Sequence, residues 1–453
     1  MKNRRRVLLI NPWIFDFAAY DLWCKPLGLL TIASWLQQAG AEVHFIDCLD
    51  RFHPKLLERK PKFWLDQQRE NYFCGKFYKK KISPPAQLSH IERPYYRYGL
   101  PEELFLQELK SIPKPDVCMI GSMMTFWYPA AIHMINIVRS VYPDIPVTVG
   151  GIYPTLYFEH ASKTLPADYI HKGNPDNKLT EFLTAHLDID LNPDEYSALL
   201  EPAFDLIYNR KTISLLTSVG CPFACTYCAS KFLQPEYKRL PVDEVLRRLE
   251  KYFVLYNPEN ISFYDDALLF KPQEHIIPIL EGWLSTGKKL YFHTPNGLHA
   301  RFVNDQIANL MFKTGFKSLR LSLETTNKKR QSESGGKIYS DEIKRSIDCL
   351  YSAGFKPENI YIYLLIGLPG QSRDEIMEDI KNVHEMGARI ELANFSPIPH
   401  TFLWDKLSRT GQISYTDPLY HNKAVFFLES GAFDLVQMRH LRKYVSGLNS
   451  KLK

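Results

Sequence analysis

Residues 212–230 read TISLLTSVGCPFACTYCAS, and this stretch decides the architecture. Thr212 to Ser218 is a short β-rich, apolar run of the kind that forms a strand. Immediately after it come Cys221, Cys225 and Cys228, in the spacing CxxxCxxC. Three thiolates so placed converge on one centre. A 4Fe-4S cluster takes one ligand per iron, so three cysteines leave one iron open for a small chelating molecule. Structural zinc, the competing occupant, is nearly always closed by four ligands, and neither a histidine nor a fourth cysteine stands here at zinc-finger spacing. An iron-sulfur centre on the loop after a strand is the expectation.

Downstream, five further runs repeat the pattern: NISFYD, KLYFHTP, SLRLSLE, NIYIYLLIG and IELANFSPI. Helical stretches such as Val242 to Leu255 and Asp341 to Ala353 separate them. Regular βα units imply a barrel or part of one, with its chemistry at the carboxyl ends of the strands. Asp265, Asp266, Asn296, Glu324, Gly367 and Pro397 close or follow those strands. The expected barrel covers residues 213–401. A linker with Pro193 and Pro202 is expected at 188–212, and a helical extension without a nameable motif at 402–453.

Upstream, RRVLLIN, AEVHFID, DVCMIGS, IPVTVGG and ADYIHKG alternate with helical patterns, the first being Leu27 to Gln38, closed by Gly40. This predicts an α/β, Rossmann-like (flavodoxin-type) domain over residues 1–187. Ligands of such sheets sit beyond the carboxyl ends of the strands, where Asn11, Pro12, Ser122, Gly150 and Gly151 fall. The Gly150-Gly151 pair would let a flat or phosphorylated ligand approach the backbone, or would simply make a turn. Residues 50–114 interrupt the alternation as an insertion. Within it, residues 51–100 carry twelve Lys and Arg against four Asp and Glu, a local +8 in a chain of net charge +6. Lys79, Lys80 and Lys81 beside Tyr72, Phe73, Phe77 and Tyr78 either meet a polyanion or cover a lid with its own aromatic core, and the lid is the favoured expectation.

At 453 residues, 45% hydrophobic and 23% charged, the chain has the composition of a multi-domain globular protein and excludes collagen, disulfide miniproteins and mostly disordered chains. Its small net charge does not announce a nucleic-acid binder. With no membrane-length apolar run and no secretion signal, a soluble cytoplasmic protein is expected. The five scattered cysteines (Cys24, Cys48, Cys74, Cys118 and Cys349) are expected as small buried hydrophobes.

CxxxCxxC on the loop after the first strand of a βα barrel resembles the radical SAM superfamily. The resemblance implies a partial (β/α)6 TIM-like barrel whose open iron chelates S-adenosylmethionine (SAM), which is cleaved to a 5′-deoxyadenosyl radical. It further implies SAM contacts from Tyr227, before the last cysteine; from Asp265 and Asp266 in FYDDALLF; from Asn296; from Ser322 and Glu324 in LSLETTN; and from Gly367 in LLIGLPGQSRDE. The amino-terminal domain resembles the cobalamin-binding domain that precedes the barrel in one branch of the superfamily. That likeness rests on NPW at Asn11 to Trp13, KPLGLLTIASWLQQAGAEV, IGSMMT and VGGIYPT, and it implies cobalamin contacts from Asn11, Pro12, Leu27, Gly28, Ser122, Thr125, Gly150 and Gly151.

The chain departs from that pattern in places. DCLDRF, Asp47 to Phe52, has no histidine where many cobalamin proteins supply the lower axial ligand. HKGNPDN, His171 to Asn177, replaces an acidic segment; Val219 stands for an arginine and His400 for a glycine. The expected activity is a cobalamin-dependent methyltransferase acting on an unactivated centre. The alternatives are a cobalamin-independent radical isomerase, cyclase or oxidoreductase, or a non-catalytic iron-sulfur module. A small-molecule or peptide substrate and an electron donor such as flavodoxin or ferredoxin are the expected partners, with neither membrane nor nucleic acid among them.

Overall fold

Strands buried on both faces must be apolar throughout, and the first strand, β1 (Arg6–Asn11, RVLLIN), has Val7, Leu8, Leu9 and Ile10 fully inaccessible. The computed structural model of the protein describes residues 5–61, 63–413, 417–429 and 433–452. The chain divides into two compact units, one comprising residues 5–210 with 417–420, the other 211–413 with the described residues from 421 onward.

In the first unit, β2 (Ile14–Asp16), β3 (Glu42–Asp47), β4 (Lys79–Ile82), β5 (Tyr95–Tyr98), β6 (Val117–Ser122), β7 (Val147–Gly151) and β8 (Tyr169–Ile170) follow β1. The main sheet is parallel in the order β3-β1-β6-β7-β8. Counted among its own strands this is 2-1-3-4-5, the expected flavodoxin-type order, with the switch point between β1 and β6. The helix Leu27–Gln38 packs Ala33, Trp35 and Leu36 into a core with Val7, Leu9, Val43, Val117 and Met119.

Two expectations about this region are corrected. Of residues 188–212, read as linker, Leu191 and Ala203 join that helix's core, Trp35 Nε1 donates to Asn192 O at 3.1 Å, and Ser34 Oγ donates to Glu201 O at 2.6 Å, while Thr212 opens β9. The stretch lacks helical or strand periodicity because it is irregular, with short 3-10 turns at Pro193–Glu195 and Phe204–Leu206, and packs by scattered contacts on another element's surface. The insertion is also shorter than 50–114, since the helix Glu102–Ser111 is the connection preceding β6.

Two strands of the rest of the insertion, β4 and β5, join β2 from the segment after β1 in a second, antiparallel sheet, β2-β5-β4. Arg51, buried, staples it by donating to Lys76 O (3.1 Å), Phe73 O (2.8 Å), Asp21 Oδ2 (3.3 Å) and Gln68 Oε1. Phe52, Trp64 and Phe73 form a small aromatic cluster beside it. Lys79, Lys80 and Lys81 are exposed on edge strand β4, with Lys79 Nζ 4.0 Å from the Tyr96 ring centroid. Lysines on an edge discourage pairing with another chain. Replacing all three by threonine is expected to leave unfolding free energy within ~0.5 kcal/mol and to introduce concentration-dependent association measurable by light scattering. Unchanged dispersity would remove the edge-guarding role.

The second unit carries β9 (Thr212–Leu215), β10 (Ser218–Val219), β11 (Lys238–Arg239), β12 (Asn260–Phe263), β13 (Tyr291–Leu298), β14 (Phe316–Glu324), β15 (Ile360–Ile366) and β16 (Arg389–Asn394). Six of them form one parallel sheet in the order β9-β12-β13-β14-β15-β16, the expected partial barrel. Phe263, Phe292 and Phe316 stack with centroids 5.3 to 5.9 Å apart in its core. The register slips between β13 and β14 after Thr294, and between β14 and β15 after Ser322. Such irregularities re-aim side chains, and here they lie beside Asn296 and Glu324. The helix Leu435–Asn449 belongs to this unit: the Asn449 amide brackets Ile390 on edge strand β16, its Oδ1 accepting from the backbone N and its Nδ2 donating to O, both at 2.9 Å. Residues 417–420 return to the first unit, where Asp417 accepts from Tyr128 Oη at 3.2 Å and Gln87 Nε2 at 3.1 Å. Of the scattered cysteines, Cys48 and Cys118 are buried as expected; Cys74 and Cys349 are half-buried, and Cys24 is exposed.

Candidate functional site

The cysteine loop is built outward from the end of β9. Asp265, fully buried after β12, accepts from Thr217 N (3.0 Å), Thr217 Oγ1 (2.7 Å) and Ser218 Oγ (2.6 Å). His275 Nε2 lies 2.8 Å from Thr217 Oγ1. Gly220 turns the chain at φ +76°, where a Cβ would stand 2.4 Å from Glu236 O. Beyond it, Thr226 N donates to Ser334 O at 3.2 Å, Leu403 N donates to Thr226 O at 2.9 Å, and Cys228 N donates to Cys225 O at 3.1 Å. The loop is thus held at both ends and in the middle.

Cys221 and Cys225 are half-buried and Cys228 is exposed. Burial pushes the Cys221 thiol up to about 11, with Asp266 and the other two thiols adding to it. Burial raises Cys225 as well, against the pull of Lys337. Mutually repelling thiolates on one loop call for a cationic group to hold them. Among the described residues no three His, Cys, Asp or Glu side chains stand close enough to share a single metal ion.

The other SAM-site expectations separate into groups. Glu324 ends β14 with φ +70°, a left-handed conformation rare outside glycine and a mark of functional strain. Its carboxylate stands 3.8 Å from Lys337 Nζ, and with burial as the main cause it helps push the nearby Tyr227 hydroxyl well above its usual range. The Tyr227 ring packs against Leu365, Phe395, Leu407 and Phe426. Asp266 lies at the surface, accepts from Ser230 Oγ at 2.9 Å, and through Ser230 reaches Cys228 Sγ, 3.2 Å from that oxygen. Protein packed around its carboxyl raises the Asp266 pKa. Asn296 Nδ2 donates to Tyr264 O at 2.7 Å. Ser322 is buried against Gly297, where a Cβ would meet its Oγ at 1.9 Å.

Two positions already make bonds within the protein. Asp265 faces into the protein, because its strand-end carboxylate is taken up by Thr217 and Ser218; it shapes the loop. Gly367 has φ +82°, as a close backbone approach needs, yet its N–H already donates to Gln371 Oε1 at 3.0 Å. The sequence reading also missed Ser230, His275 and the turn Ser334–Lys337. The Gly335-Gly336 pair was the available signal for that turn. A cleft of about 280 Å³ opens beside the loop, lined in part by Thr226, Tyr227, Arg330, Leu368, Phe402 and Lys406.

In the first unit the candidate residues share the carboxyl edge of the sheet. Ser122 pairs with Gly151 and Gly121 with Gly150, while Ile10, just before Asn11, pairs with Ile120. Leu29 packs on Gly121, which brings Leu27 and Gly28 to the same edge. Gly28 faces open space, Pro12 follows β1 and is half-buried, and Thr125 begins a short 3-10 turn. Asn11 Nδ2 donates to Asp47 Oδ1 at 2.7 Å, and burial raises the Asp47 pKa. The HKGNPDN loop folds on itself, His171 Nε2 lying 2.9 Å from Asn174 O. Gly151 has φ +108°, and a Cβ there would stand 2.4 Å from Ser122 O. Gly151→Ala is expected to destabilise the first unit by about 1–3 kcal/mol, read from urea unfolding; an unshifted midpoint would mean the edge relaxes freely.

Residues 215–383 match the Radical SAM superfamily. The chain is 23% identical over 344 residues, 68% of its length and 73% of the relative's, to an uncharacterised methyltransferase, PH0819, of Pyrococcus horikoshii. The radical S-adenosylmethionine methyltransferase TsrM of Kitasatospora setae, solved with tryptophan substrate and a SAM analogue, superposes with TM-score 0.61 at 14% identity over 90% of this chain and 76% of that one. The cobalamin-dependent S-adenosylmethionine radical enzyme OxsB, solved with aqua-cobalamin and SAM, gives 0.56 at 16% identity, over 90% of this chain and 56% of its own. At these identities the two structural likenesses are likenesses of fold.

Proposed function

From the match of residues 215–383 to the Radical SAM superfamily, we propose that this protein is a cobalamin-dependent radical SAM methyltransferase acting on a small molecule or peptide. The observation that carries the reading is the cysteine loop, held at the carboxyl end of β9, with Glu324 in strained backbone geometry at the end of β14 and Lys337 3.8 Å from its carboxylate. When bound, the 4Fe-4S cluster and SAM supply one-electron bond cleavage, and cobalamin supplies the methyl carrier.

Cys221, Cys225 and Cys228 would hold the cluster as thiolates. Burial favours the protonated forms of Cys221 and Cys225 in its absence, so loading it releases protons. Glu324, Asp266, Asn296 and Ser322 would orient the polar groups of SAM, with Tyr227 and the Gly367 turn as its apolar wall. Cobalamin would rest on Asn11, Pro12, Leu27, Gly28, Ser122, Thr125, Gly150 and Gly151, an edge whose Gly28 opens to solvent and whose Gly151 admits no side chain. No imidazole follows β3 within DCLDRF, so that segment would offer the carrier no nitrogen ligand. A low-potential flavodoxin- or ferredoxin-type donor would provide electrons in a reducing cytoplasm.

The test is anaerobic reconstitution with iron, sulfide and hydroxocobalamin, followed by desalting and an absorption spectrum, then incubation with SAM and reductant. Iron and cobalamin bands together, with both 5′-deoxyadenosine and S-adenosylhomocysteine formed, are expected. Iron bands without cobalamin, and deoxyadenosine without the homocysteine, would replace methyl transfer by another radical outcome.

A further inference from the structure

Besides the cysteines, one charged side chain faces this site from a turn far along the chain. Ser334, Gly335, Gly336 and Lys337 run backbone-to-backbone against the cysteine loop. Ser334 O accepts from Thr226 N, and Gly335, at φ +106°, would place a Cβ 2.9 Å from Ala224 O and 3.3 Å from the Cα of Cys225. Arg301 Nη2 donates to Gly336 O at 2.6 Å, and Gly336 N donates to Gln331 O at 2.9 Å, so the turn is fixed from its other side. Lys337 follows directly. Its side chain is only 14% exposed and Glu324's 13%, yet the two are loosely paired at 3.8 Å.

A mostly buried ammonium with a loose partner projects its charge onto its neighbours. That charge stands on the turn whose Gly335 abuts the backbone of Ala224 and Cys225 and whose Ser334 O takes the Thr226 N–H, so it sits beside the loop that presents the thiols. The nearby His299, stacked on Phe223 with centroids 4.2 Å apart, is kept neutral by burial and by Lys337 and Arg301, so it adds no second charge.

We propose that Lys337 is the counter-charge of the iron-sulfur cluster: its ammonium favours the one-electron-reduced state and so sets the reduction potential, with Glu324 as the opposing weight. The inference rests on Cys221, Cys225 and Cys228 being the cluster ligands. Reduction adds one electron, delivered by a low-potential carrier or by dithionite, and one negative charge to the cluster. A fixed cation nearby stabilises that state, net charge being one of the factors that set such potentials. Lys337 acts here as a positioning and tuning residue.

The experiment is a dithionite titration of the reconstituted full chain, without SAM, followed by electron paramagnetic resonance. Iron content is measured on each sample. Lys337→Gln is expected to weaken reduction at least tenfold, which is 59 mV for one electron. Lys337→Arg should keep the native potential, and Glu324→Gln should shift it the opposite way. A Lys337→Gln midpoint equal to that of the native protein overturns the proposal. So does an unchanged midpoint with weakened SAM binding, which would make Lys337 a ligand contact. If Lys337→Gln fails to hold iron, Glu324→Gln carries the test, and an unshifted or lowered potential there overturns it. Native protein that takes up no iron would instead sink the reading of the three cysteines.

Discussion

Cys225→Ala abolishes cluster assembly and SAM cleavage while leaving the fold intact: that is the expected result of the most direct test. Cys225 is half-buried and its Cβ is retained in alanine, so the contact of its backbone with Gly335 survives. The stability change should stay near the ~1 kcal/mol of an average substitution. Iron content and visible absorption, by contrast, should fall to background, since two cysteines cannot hold three irons. Deoxyadenosine production should vanish with them. Far-UV circular dichroism and the unfolding midpoint provide the control. A variant that keeps native iron content would show that another residue completes the site.

Asp265→Ala should produce the opposite pattern, a failure of structure ahead of chemistry. Its carboxylate accepts from three donors on Thr217 and Ser218, and alanine removes that buried acceptor from all three, leaving Thr217 Oγ1 only His275 Nε2. The cost is about 3–5 kcal/mol, and the loop that presents the cysteines loses its anchor. Asp265→Asn isolates the charge. Burial raises the folded-state pKa from 3.8 to about 6, so the protonated form is the one the fold favours. Its stabilising contribution is complete below pH 3.8 and is lost as pH rises through about 6. Over that window the apoprotein loses about 3 kcal/mol from this group, and Asp265→Asn should flatten that part of the profile. Urea unfolding at several pH values reads it; an unaltered profile would place the titration elsewhere.

Much of this architecture was legible because parallel strands buried on both faces must be apolar runs, and RVLLIN, VCMIGS and IYIYLLI advertise themselves. The three cysteines were legible because their ligand spacing is local. What was not legible is set by distant contacts. Nothing in FYDDALLF says that Asp265 turns inward and Asp266 outward, since that depends on Thr217 and Ser218. The Gly335–Lys337 turn meets the cysteine loop across more than a hundred residues. The register slips that set Asn296 and Glu324 arise between strands, and no single strand records them. KKKI reads as a charge run, and its identity as an edge strand emerges only with Tyr95 to Tyr98 beside it.

The excursion of residues 417–420 also bears on the order in which the protein can be completed. A chain leaves the ribosome amino end first, and amino-terminal domains ordinarily finish folding first. Here the carboxylate that Tyr128 and Gln87 hold, on Asp417, is synthesised after every strand of the barrel. The amino-terminal unit therefore waits, one segment short, until its neighbour has been made, and a gene cut between the two units would yield a first half whose last piece is encoded in the second.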